Sequence, residues 1–80
     1  MNKKKFLKIF EMCIADEDVV QINLKIFEPI GYKIITFDRD KFNEKYEYYK
    51  NNYDSEMRLK SCTLIFINEI DFCVNEWFSC

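Results

Sequence analysis

Eighty residues and 9.8 kDa allow one domain, spanning 1–80, with one thin core; a hydrophobic share of 49% with eight phenylalanines excludes a chain disordered by composition. The absence of histidine and the single glycine remove the usual acid–base catalysts, dinucleotide fingerprints and glycine-rich phosphate loops. The net charge of -2 lacks the basic excess of a nucleic-acid binder and falls well short of the acidity expected of a DNA mimic.

The segment Lys3–Ala15 reads as an amphipathic helix. Phe6, Phe10, Cys13 and Ile14 recur at helical spacing, Leu7 and Ile9 widen the stripe, and Lys4, Lys8 and Glu11 share the opposite face. Its lysines sit where the helix dipole disfavours them. They precede apolar residues as in a signal peptide, but Lys8 and Glu11 interrupt the hydrophobic stretch that secretion requires. The expected location is therefore cytoplasmic, with no membrane contact and with Cys13, Cys62, Cys73 and Cys80 as free, reduced thiols. No C-x-x-C pair occurs, so neither a zinc knuckle nor a thioredoxin-like motif is expected.

Val19–Phe27 alternates with period two. Val20, Ile22, Leu24 and Ile26 point one way, and Gln21, Asn23 and Lys25 the other. The turn Glu28-Pro29-Ile30-Gly31 holds the only proline and the only glycine, and the strand Tyr32–Phe37 follows. Pairing Glu28 with Gly31 sets Leu24 against Ile35 and Ile22 against Phe37. One face is then apolar except for Lys33.

Asp38 or Asp40 is placed to cap a second helix, in which Phe42, Tyr46, Tyr49 and Tyr53 form one stripe and Tyr48 lies outside it. Met57–Ile67 is expected as a long strand. A tight turn at Asn68-Glu69 would pair Ile67 with Ile70, Ile65 with Phe72 and Thr63 with Val74. An alternative for the tail is a short helix capped by Asp71, with Cys73, Trp77 and Cys80 on one side. The sum is an α+β fold of order α-β-β-α-β-β, two helices packed on a mostly antiparallel four-stranded sheet.

Two acidic clusters, Asp16-Glu17-Asp18 and Asp38-Arg39-Asp40, have the residue types that hold divalent metals. In a domain this small they read as a solvated loop and a helix cap, so no metal or cofactor is expected. Catalysis is not expected either. What remains for function is contact. Tyrosine buries large area at low entropic cost, which singles out Tyr48 beside Glu44 and Glu47, and Tyr32 with Ile34 on the outer face of the hairpin. Trp77-Phe78 is a further apolar spot. The acidic stretch with Asp16, Glu17 and Asp18 suits a basic, nucleic-acid-handling protein. Lys41, Lys45 and Lys50 around the tyrosines would suit single-stranded nucleic acid, but Glu44 and Glu47 oppose it, so direct nucleic-acid binding is not expected.

In size and composition alone the chain resembles the small phage and mobile-element proteins that block host defences, such as anti-CRISPR proteins; no motif residue carries that resemblance. It implies a non-catalytic inhibitor or adaptor that occludes a protein partner. An antidote to a toxin and a small nucleic-acid-binding regulator are the alternatives, and a homo-oligomer is compatible with each.

Overall fold

A computed structural model describes residues 1–74. Trp77, Phe78 and Cys80, and with them most of the alternative tail helix, lie outside the described residues. The elements run α1 (Lys3–Ala15), β1 (Val19–Glu28), β2 (Gly31–Asp38), a 3-10 turn (Arg39–Lys41), α2 (Phe42–Asn52), β3 (Arg58–Leu59) and β4 (Cys62–Val74). The sheet order is β2-β1-β4-β3 and every neighbouring pair is antiparallel. The expected α+β architecture is the one observed.

α1 begins where Asn2 accepts a hydrogen bond from the Lys5 amide at 2.8 Å, and it buries Phe6, Phe10 and Cys13. α2 buries Phe42 and Tyr49, with Tyr53 as its buried C-cap. The helices run antiparallel, as Phe10 meets Phe42 and Tyr46 while Phe6 meets Tyr49. Both lie on one face of the sheet, over Ile22, Leu24, Ile26, Phe37 and Ile67. The expected caps of α2 are not used. Neither Asp38 nor Asp40 makes a capping bond, because the 3-10 turn intervenes and puts Lys41 at the N-cap position.

Two cations close the helix C-termini instead. Arg39 Nη1 donates to the carbonyls of Cys13, Asp16 and Val19 at 3.3, 2.9 and 2.8 Å, and its Nη2 to that of Ile14 at 2.7 Å. Lys3 Nζ donates to the carbonyls of Lys50 and Tyr53 at 2.5 and 2.6 Å. The lysine that opposes the dipole of its own helix thus serves the far end of the antiparallel neighbour, where unpaired carbonyls collect partial negative charge.

The first hairpin has the expected register, with Glu28 opposite Gly31, Leu24 opposite Ile35 and Ile22 opposite Phe37. Gly31 has φ +150°, a conformation that glycine alone adopts at little cost. The start of β1 departs from strict alternation. A register shift at Val20 turns Val19 into the core and leaves Val20 exposed.

The second half departs further. The chain reverses at Lys60-Ser61, not at Asn68-Glu69, so Leu59 faces Cys62. β4 then runs unbroken and pairs with β1, setting Ile67 against Ile26, Ile70 against Leu24 and Phe72 against Ile22. Asn68 is the bulged residue between the Ile26–Ile67 and Lys25–Glu69 pairs. The expected pairs Ile67–Ile70, Ile65–Phe72 and Thr63–Val74 therefore do not form.

Met57 ends the loop between α2 and β3 fully buried at φ +59°. Asp54 holds that loop: its Oδ1 accepts from the amides of Glu56 and Arg58 at 2.9 and 3.0 Å.

Candidate functional site

The helices cover one sheet face, and among the described residues no element covers the other, which is the bare face. Antiparallel pairing puts opposite residues on the same side, so Tyr32, Phe27 and Phe66 form a row across β2, β1 and β4. Ring centroids are 5.7 Å apart for Phe27–Tyr32 and 5.3 Å for Phe27–Phe66, the latter stacked. Lys25 Nζ lies 4.5 Å from the Tyr32 centroid, and the Arg58 guanidinium lies 5.4 Å from that of Phe66. Ile34 continues the bare face along β2 and Leu64 along β4. Tyr32 and Ile34 are 59% and 56% exposed, and Leu64 is exposed too. At the hairpin tip Ile30 is fully exposed.

Acidic residues gather at the opposite end of the sheet. Asp16, Glu17 and Asp18 form the turn into β1, and Asp16 Oδ1 accepts from the Asp18 amide at 3.0 Å. The sheet register brings Asp38 beside Gln21 and Asp71 beside Asn23, with Asp40 in the following turn. Arg39 sits among them, but its guanidinium is committed to main-chain carbonyls. Lys41 offsets one of the charges. Among the described residues no group of three or more acids or cysteines is placed to hold a metal ion.

Glu44, Glu47 and Tyr48 are exposed along one strip of α2, on the helix layer. The eight residues singled out in the sequence thus occupy three places: Asp16, Glu17 and Asp18 at one end, Tyr32 and Ile34 on the bare sheet face, and Glu44, Glu47 and Tyr48 on α2. Phe27 joins Tyr32 on the bare face as the alternation of β1 implies, whereas Phe66, Leu64 and Arg58 were not legible as part of it. The strand pairing of Phe66 with Phe27 places them there, and the misplaced second turn had hidden that pairing.

A groove of about 240 Å³ opens on the helix side, between α2 and the hairpin end of the sheet. Tyr48, Tyr49 and Tyr53 line it together with aliphatic side chains, and Glu28, Lys33 and Lys45 are its charged groups. Lys33 and Glu28 pair at 3.5 Å with both side chains substantially exposed, a contact worth about 0–1 kcal/mol.

The expectation of free thiols holds at Cys13, which is buried, and at Cys62, which is half-buried. Burial, then the charge of Asp16, push the Cys13 thiol up, so it is poorly reactive. Cys73 is disulfide-bonded and departs from that expectation. No helix among the described residues is long and apolar enough to cross a membrane. No protein-family model matches the chain, and no curated protein and no solved structure shows significant similarity to it.

Proposed function

We propose that this protein is a non-catalytic inhibitor or adaptor that acts by covering a surface of a macromolecular partner, in the manner of phage and mobile-element proteins directed at nucleic-acid-handling defence complexes. The bare sheet face carries the reading. Tyr32 and Ile34 stand exposed beside Phe27, Phe66 and Leu64, an aromatic and aliphatic cluster of the kind that forms the centre of protein interfaces. The acidic end, with Asp16, Glu17, Asp18, Asp38 and Asp71, adds complementarity to a basic partner and would raise the association rate more than the final affinity.

The test is affinity capture from a bacterial lysate with quantitative mass spectrometry, run in parallel on the wild type and a Tyr32→Ser/Ile34→Ser variant. The expected result is one stoichiometric basic protein held by the wild type and lost by the variant. Equal retention by both would remove the sheet face from the interface.

A further inference from the structure

Tyr49 and Tyr53 are only 3% and 4% exposed, yet neither hydroxyl has a hydrogen-bond partner in the protein among the described residues. Neither hydroxyl is sealed from solvent either, since no buried side-chain polar atom lacks a partner. Both residues line the groove between α2 and the hairpin, so the groove is where these buried side chains meet solvent. Tyr48 completes the set, its ring 5.1 Å from that of Tyr49 and 6.4 Å from that of Tyr53. The three phenols lie near enough for negative charge on one to raise the pKa of the next. Burial pushes Tyr49 and Tyr53 up first, so both remain O–H donors at neutral pH.

The lining is therefore rich in donors. Three tyrosines line the groove together with Lys33 and Lys45, against one acidic residue, Glu28, already paired with Lys33. Among the described residues Lys45 has no acidic partner within ion-pair distance. Ile26, Ile35, Leu59 and Ile65 supply an apolar floor. Donors that open to solvent and have no partner in the protein favour an acceptor of matching charge.

We propose that this groove is a binding site for a small organic anion, a phosphate or carboxylate carried on an apolar body, with the anion held by Lys45 and the tyrosine hydroxyls. The site lies on the helix side, away from the bare sheet face, and does not rest on the function proposed above.

The test is an NMR titration of the full chain with phenyl phosphate and with benzoate, using benzyl alcohol as the neutral control. The expected result is saturable shifts of the Tyr48, Tyr49 and Tyr53 ring signals with either anion and none with benzyl alcohol at the same concentration. Lys45→Gln and Tyr53→Phe, each checked for an unchanged circular dichroism spectrum, should weaken phenyl phosphate roughly tenfold, as expected for one charge-assisted contact. A short phosphotyrosine peptide distinguishes sources. Binding about tenfold tighter than phenyl phosphate assigns the anion to a partner's modified segment, and equal binding assigns it to a free small molecule. Equal binding of benzyl alcohol, shifts confined to Tyr32, or no shift at millimolar anion would overturn the proposal. Should Tyr53→Phe unfold the chain, Tyr48→Phe, at an exposed position, decides in its place.

Discussion

Arg39 Nη2 donates to the carbonyl of Ile14 at 2.7 Å, across 25 residues of sequence. With Nη1 on three further carbonyls, one guanidinium satisfies the end of α1 and the start of β1 together. A hydrogen bond to a charged group contributes about 1.5–3 kcal/mol, so Arg39→Met is expected to lower stability by ~2 kcal/mol. Arg39→Lys should recover less than half, because an ammonium lacks the planar fork that reaches Ile14 and Val19 at once. Urea denaturation of the three proteins measures both differences.

Met57 predicts an inverted order of substitutions. Its side chain is fully buried while its backbone has φ +59°. Met57→Ala removes core volume and should cost about 2–5 kcal/mol. Met57→Gly loses the same packing but relieves the left-handed backbone, which for other residues costs ~1–2 kcal/mol. The glycine variant should therefore be the more stable of the two, the reverse of the order inside a helix or strand. Thermal midpoints of the pair decide it.

Acid should loosen the loop before β3. The amides of Arg58 and Glu56 donate to Asp54 and hold its carboxyl below the usual range. A group depressed in the folded state stabilises above its unfolded pKa of ~3.9, and that contribution fades as pH falls through the folded value. Asp54→Asn keeps the accepting oxygen and removes the titration. Its stability should be flatter than wild type below pH ~4. An unchanged acid limb in the variant would assign the dependence elsewhere.

Alkali acts through the aromatic layer. Tyr46 donates to Glu11 at 2.5 Å, and that bond, with lesser help from burial, pushes its pKa up to about 12. Burial raises Tyr49 and Tyr53 as well. Unfolded tyrosines ionise near ~10, so the unfolded state loses protons first and stability falls as pH climbs above that value. Absorbance titration at the phenolate band should show Tyr49 and Tyr53 ionising together with unfolding. Tyr46→Phe should remove the step near 12.

The first hairpin was legible because two independent signals agreed: a proline–glycine turn and an unbroken period of two. The second half carried a phase slip. Apolar residues fall at 63, 65 and 67 by one parity, counting Thr63, and at 70, 72 and 74 by the other. Such a slip fits either a reversal of the chain or one bulged residue, and local pattern does not separate them. The long-range pairing with β1 decides for the bulge at Asn68. Lys60-Ser61, where the chain does reverse, has neither glycine nor asparagine to mark it. Of the candidate surface, exposure of Tyr32, Ile34 and Tyr48 followed from strand parity and the helix stripe. The engagement of Arg39 did not, because its partners lie 20 to 26 residues away. The convergence of three phenols on one groove was equally hidden, since a stripe reads as core whether or not its polar tips find partners.

β4 lies between β1 and β3 although it follows every other described element. During synthesis the hairpin and both helices leave the ribosome before the strand that joins them. Until Ile67 and Ile70 arrive opposite Ile26 and Leu24, one edge of β1 has no partner and the apolar face has no closing wall. The chain therefore stays an open, sticky intermediate until β4 is in place, and commits to its fold in one late step.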